Sequence, residues 1–148
     1  MAMEPQGNVK SSPVRKVMDY PDCESADPIT RMRVYQLAFK VRPACAEDAE
    51  IIRRNPITEN IAGQLYTAVG SIVANLVEGY SRSSGKDRAR IFEYALGSAR
   101  ESIEWYHASR HVMPPGVFED RLPVLDEIVR MLLAIVPRER KRIIRPPK

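Results

Sequence analysis

IAGQLYTAVGSIVANLVEGY, residues 61–80, runs through Ser81-Arg82-Ser83-Ser84 into GKDRARIFEYALGSARESIEWY, residues 85–106, and this stretch decides the fold class. In its first half Ile61, Leu65, Ala68, Ile72 and Leu76 recur every three or four residues. In its second half Phe92, Ala95, Leu96, Ala99, Ile103 and Tyr106 do the same. That period puts the apolar side chains on one face of a helix. Thr58 is placed to cap the first of these helices, and Gly79, free to take a left-handed conformation, to stop it. Ser84 with Asp87 makes a variant capping box for the next. Arg100 and Glu104 fall one turn apart, side by side on its surface. No proline occurs between Ile57 and Met113, and proline is the residue that helix interiors exclude.

Working outward, Val34, Leu37, Ala38, Val41, Cys45 and Ile52 form another stripe, with Thr30 as its expected cap. Pro43 is expected to kink or split that helix, and Asn55-Pro56 to end it. After the break at Met113-Pro114-Pro115-Gly116, a fourth stripe comprises Leu122, Leu125, Ile128, Val129, Leu132 and Val136. Pro123 suggests a kink or a start there, and Pro137 a stop. No segment sustains strand alternation. The reading is all-α: an antiparallel four-helix bundle over residues 30–136. Residues 1–29 read as an extended or disordered arm, and residues 137–148 as a basic tail. Gly63, Gly70, Ala74, Ala95, Gly97 and Ala99 are small residues inside helices. Each glycine costs about 1 kcal/mol of helix propensity relative to alanine. Close packing inside the bundle, or contact with another subunit, is expected to offset that cost.

The chain has 148 residues, 44% of them hydrophobic and 28% charged. That suits one globular domain and excludes a wholly disordered chain. No apolar run nears the ~18–20 residues of a membrane span, and the first residues carry no secretory pattern. Cys23 and Cys45 lack any Cys-x-x-Cys or Cys/His grouping and read as free thiols of a reducing cytoplasm. The charge is more telling in its distribution than in its +4 sum. Residues 137–148 hold Arg138, Arg140, Lys141, Arg142, Arg145 and Lys148 against Glu139 alone, a balance of +5. Such a tail is a handle for a polyanion; its plain alternative is a solvated terminus. A second cluster, Arg82, Lys86, Arg88 and Arg90 with Asp87, has a balance of +3 at the turn into the third helix. Backbone N–H groups at a helix start would add to its pull on phosphate; the alternative is a solvated helix start.

Catalytic patterns are sought and not found. Glu104-x-x-His107 has the spacing of di-iron bundles, but the chain has only two histidines, and His111 has no glutamate three residues before it. His107 and His111 with Glu104 fall short of a zinc site. Ser83-Ser84-Gly85-Lys86 holds Ser-x-x-Lys without the other elements of an acyl-enzyme. No Walker loop or Gly-x-Gly-x-x-Gly is present. The expectation is a protein with no catalytic site, no metal and no cofactor.

A larger pattern remains. Gln64, Ser71-Ile72, Ala74-Asn75 and Glu78-Gly79-Tyr80 are followed by Arg82 and Ser84, then by Ala95-Leu96-Gly97-Ser98 and Glu101, with Arg130-Met131-Leu132 in the fourth helix. This resembles the bacterial four-helix-bundle family encoded by 23S rRNA intervening sequences, whose pattern is Ser-Ile-Pro-Ala-Asn-Ile-Ala-Glu-Gly-Tyr, a basic Ser-containing turn and Ala-Leu-Gly-Ser. Val73 stands where that family has proline, Arg88 and Ala89 replace an apolar pair, and Ile103 replaces a glutamate. Pro43, Pro123, the arm and the basic tail are further departures. The resemblance implies a bundle assembled as a ring, typically a homopentamer, without enzymatic activity. It also implies kinship with the accessory variability protein of diversity-generating retroelements, which is similar in size and basic C-terminus and binds a reverse transcriptase and RNA. Expected partners are therefore the backbone of RNA or DNA, other copies of the chain and a reverse transcriptase. Five tails would concentrate charge, and salt-dependent binding follows from concentrated charge. Trp105, Tyr35 and Tyr94 are candidate interface aromatics or core residues.

Overall fold

The computed structural model describes residues 13–145. Four helices account for most of them: α1 Arg33–Arg53, α2 Glu59–Tyr80, α3 Gly85–Ser109 and α4 Val117–Lys141. Short links at residues 54–58, 81–84 and 110–116 force each helix to run antiparallel to the one before it. Each packs on its chain neighbours, and α1 meets α4 to close the bundle. No strand is present among the described residues. The stripes read from the sequence meet in the middle: Val34, Val41 and Ile52 from α1, Leu65, Ile72 and Leu76 from α2, Phe92, Ala95, Ala99 and Tyr106 from α3, and Leu125, Ile128 and Leu132 from α4 are all buried. Each large apolar side chain so placed contributes roughly 1.5–3 kcal/mol of burial free energy.

Several boundaries differ from expectation, for physical reasons. Thr30 does not cap α1. It sits in a 3-10 turn, Pro28–Arg31, capped by the Asp27 carboxylate on the Ile29 N–H at 3.0 Å. Pro43 neither splits α1 nor stops it, because Val41, Ala44 and Cys45 around it are fully buried and hold the helix together. Pro123 lies inside α4. Pro137 does too, and the helix runs on to Lys141. Thr58 precedes α2, but its hydroxyl donates to the Ile52 carbonyl at 2.8 Å instead of capping α2. Gly79 is no left-handed stop. It is buried in α2, where an added Cβ would lie 2.7 Å from the Phe92 ring. Ser84 caps α3 as expected, accepting the Asp87 N–H at 3.1 Å.

The described part of the arm, from residue 13, lies on the bundle. Val17 is fully buried and Tyr20 nearly so. The short turn Val17–Asp19 touches both α1 and α4, the neighbouring helices that pack least closely. Its backbone is extended on either side, but a wedge of apolar side chains and hydrogen bonds fixes it. Residues 1–12 and 146–148, with the expected tail cation Lys148, lie outside the described residues.

Candidate functional site

The two basic clusters, about fifty residues apart in the chain, come together at one end of the bundle. The first turn of α3 slides under the last turn of α4. Gly85 is what permits it: a Cβ there would lie 2.2 Å from the Glu139 carbonyl oxygen and 2.4 Å from that of Arg142. The turn carrying Arg82, Lys86, Arg88 and Arg90 therefore adjoins the end of α4 with Arg140, Lys141 and Arg142, and Arg145 follows three residues on. Arg138 turns toward α1, where it lines a groove with Met32 and Arg33. Eight basic residues, four in each segment, stand against four carboxylates, Glu78, Asp87, Glu93 and Glu139, a balance of +4.

Those carboxylates are not idle. Arg82 pairs with Glu78 at 2.6 Å, Arg142 with Glu139 at 3.2 Å, Arg90 loosely with Asp87 at 3.9 Å, and Arg140 with Glu93 across the α3–α4 seam. Arg88 lies over the Tyr80 ring, 4.9 Å from its centroid, and donates from Nε to the Arg82 carbonyl at 3.0 Å. Among the described residues Lys86, Arg138, Lys141 and Arg145 have no carboxylate partner. Not all of the backbone N–H groups at the start of α3 are free. Ser84 takes one, and the end of α4 covers Gly85. Glu139 has one carboxylate oxygen, Oε2, that is buried without a partner, beside these cations.

At the other end lies a network that the sequence reading missed. Arg121 and Asp48 are buried, and they pair twice: Nε donates to Oδ2 at 2.8 Å and Nη2 to Oδ1 at 3.1 Å. Tyr106 donates its hydroxyl to the same Oδ2 at 2.6 Å. The remaining Arg121 nitrogen, Nη1, donates to Asp120 and to the Arg15 carbonyl, both at 2.7 Å, and Asp120 accepts the Val17 N–H at 2.9 Å. The network thus ties α1, α3, α4 and the arm. Burial works against the Arg121 charge, but its hydrogen bonds to Asp48 outweigh this and hold its pKa above the usual guanidinium range. Burial pushes the Tyr106 hydroxyl well above its ordinary value and the Cys45 thiol up to about 12. Tyr20, buried and donating to Glu47 at 2.5 Å, is also pushed up to about 12. A signal was present: Asp48 falls in the apolar register of Val41, Cys45 and Ile52, and Arg121 in that of Leu125, Ile128 and Leu132.

The other candidates disperse. His107 packs edge-on to the Phe118 ring at 5.0 Å between centroids. No three His, Cys, Asp or Glu side chains converge among the described residues. Tyr35 is core, Trp105 is half-buried with its Nε1 on Glu101 at 3.1 Å, and Tyr94 is exposed. No helix among the described residues is long and apolar enough to cross a membrane.

Residues 30–134 match the model of the 23S rRNA-intervening sequence protein family. The chain belongs to that family. No curated protein and no solved structure gave a significant match. In this intervening-sequence protein the matched region holds the Arg82–Arg90 turn and ends before the tail cations. Its Glu78-Gly79-Tyr80 sequence has a structural job: Glu78 pairs with Arg82, Gly79 admits the Phe92 ring, and Tyr80 lies under Arg88. Three adjacent residues therefore shape the turn that carries half of the basic end.

Proposed function

We propose that this protein is a non-catalytic nucleic-acid-binding bundle, with RNA as its ligand and the basic end as its contact surface. The observation that carries the reading is the meeting of the Arg82–Arg90 turn with the end of α4 at Gly85. Neither cluster alone is more than a common surface charge run. Together they offer a polyanion one continuous cationic face, and the family's link to ribosomal RNA sequences agrees with RNA. Copies assemble into a ring of five in this reading, which multiplies the basic face. A reverse transcriptase is the protein partner that the accessory branch of the resemblance suggests.

The test is a titration with structured RNA and with duplex DNA across a salt series. Wild type is compared with a Lys86→Gln, Lys141→Gln, Arg145→Gln variant. Binding driven by phosphates falls steeply with salt, with a slope of about 0.9 per neutralised phosphate on duplex DNA. The reading expects tight low-salt binding, RNA preferred, and a shallower slope in the variant. No binding at low salt would overturn it. The second reading, a protein scaffold whose cations serve solubility, is favoured by the four arginines that already have carboxylate partners. It predicts that the variant behaves as wild type.

A further inference from the structure

Two tyrosine rings stand more than half exposed among the described residues, Tyr66 and Tyr94, each 53%. Tyr94 belongs to α3, the helix that carries the basic turn. Lys86, Arg90 and Tyr94 are spaced four residues apart, so they follow one another along one exposed face of that helix. Four residues are about 6 Å of helix axis. Helical side chains lean toward the N-terminus, which tilts the Tyr94 ring toward Arg90 and the basic end. Arg90 holds Asp87 only loosely, at 3.9 Å. Tyr20, Tyr35 and Tyr80 each lie against a guanidinium or another ring. Among the described residues no such contact includes Tyr94. Gly97, one turn further on, keeps the ring open. A side chain at that position would lean back over residues 93 and 94. Gly97 is exposed, and a Cβ there would meet nothing within 4 Å. No packing within the chain requires glycine there, although glycine weakens a helix. Beyond it Glu101 and Glu104 occupy the same exposed face, so the cationic track ends at the ring.

We infer that Tyr94 is a stacking platform for one unpaired base of an RNA strand whose phosphates lie on Lys86 and Arg90. This assignment rests on the nucleic-acid reading above and deepens it. It names single-stranded RNA as the ligand class and Tyr94 as the residue that selects it. Phosphate contacts position a strand without reading its bases, whereas an aromatic ring needs a base face. In a duplex each base is covered by its neighbours, so an exposed tyrosine reaches a base only where the strand is unpaired. Stacking tolerates any base, because every base has a π-face. The two parts of the site also answer differently to salt. Contacts of Lys86 and Arg90 with phosphate weaken as salt rises. Stacking on Tyr94 releases no counterion and leaves the slope alone.

The probe is an oligouridine of about ten nucleotides, within the usual span of single-strand sites, with a duplex RNA of the same length as its control. Both are titrated across a salt series against wild type, Tyr94→Ala, Tyr94→Trp and Gly97→Gln, each in the full chain. Tyr94 and Gly97 are exposed, so circular dichroism is expected to show unchanged helical content. Wild type is expected to prefer the single strand. Tyr94→Ala should bind it about tenfold more weakly at every salt concentration, with the slope of wild type. Tyr94→Trp should retain wild-type affinity, and Gly97→Gln, whose side chain leans over the ring, should lose it as Tyr94→Ala does. Duplex binding should be the same in all four proteins. If Tyr94→Ala loses helix, Gly97→Gln carries the comparison. A wild type that binds neither RNA at low salt overturns the nucleic-acid reading and this inference together. A wild type that binds RNA but prefers the duplex overturns the inference alone. So does a Tyr94→Ala variant that keeps its single-strand affinity or loses duplex affinity equally.

Discussion

Asp48–Arg121 and Glu93–Arg140 are both carboxylate–guanidinium pairs between helices distant in sequence, set at opposite ends of one bundle. The first has both side chains 2% exposed, two parallel hydrogen bonds and a tyrosine hydroxyl on the same carboxylate. The second has both side chains about half exposed. The chemistry is the same and the solvent is not. In the interior neither ion can regain water if its partner leaves, so the pair holds four segments in place. At the surface an ion pair is worth roughly 0–1 kcal/mol and is screened by salt. A phosphate can displace a surface carboxylate at little cost. One end of the molecule is locked by its charges, and the other can exchange them.

Removing one member of the buried pair gives the largest expected effect. Arg121→Ala or Asp48→Ala strands an uncompensated ion and should cost about 3–5 kcal/mol in denaturant unfolding. The double variant should cost clearly less than the sum of the two, because no orphan charge remains. If either single change costs as little as a surface pair does, the contrast between the ends fails.

That contrast also divides what was legible in the sequence from what was not. The four helices follow from a period that local sequence carries, so the stripes from Val34 to Leu132 landed in the core. Prolines misled, because a proline states its local cost and says nothing of the packing that offsets it. Pro43 and Pro137 both lie within helices. The basic clusters were legible as clusters. Their meeting depends on Gly85 lying beneath residues 139–142, a tertiary fact that no spacing shows. Asp48 and Arg121 sat in apolar registers where their periodicity flagged them, but a partner seventy-three residues away left no local mark.

The glycines sharpen the comparison further. Gly85→Ala drives a Cβ into two backbone carbonyls, which are harder to move than a side chain. Overpacking of that kind costs about 1–3 kcal/mol. The last turn of α4 should lift, seen as faster amide hydrogen exchange over residues 139–141, and the basic face should open with it. Gly97→Ala meets nothing within 4 Å and should instead stabilise an isolated chain by about 0.5–1 kcal/mol. Equal effects at the two positions would mean that the α3–α4 contact is not where the basic end is built.

A milder effect comes from pH. Cys45, Tyr20 and Tyr106 all hold their protons more tightly when folded, chiefly through burial. Above the unfolded values the unfolded chain binds fewer protons than the folded one, so stability falls as pH rises. It should be flat through neutrality and decline from about pH 9 upward. The share of Tyr20, raised from 10.0 to about 12, is about 1 kcal/mol between pH 9 and 10.5. Tyr20→Phe should therefore show a shallower decline of denaturation midpoint over that range than wild type. Parallel declines would mean that the arm lets go of Glu47 before the bundle unfolds.

The smallest stability effect belongs to the exposed end. Glu93→Gln removes the counter-charge of Arg140 without changing shape, and should shift stability by under about 1 kcal/mol. Its reach lies elsewhere. A guanidinium released from its carboxylate adds a free cation to Lys86, Lys141 and Arg145. Low-salt affinity for RNA should rise, and the salt slope should steepen by up to about one further phosphate. The same substitution at the other end, Asp48→Asn, should behave oppositely, with a large loss of stability and no change in slope. If Glu93→Gln weakens RNA binding, then Glu93 holds Arg140 in its binding position and the surface carboxylates are part of the interface, not competitors for it.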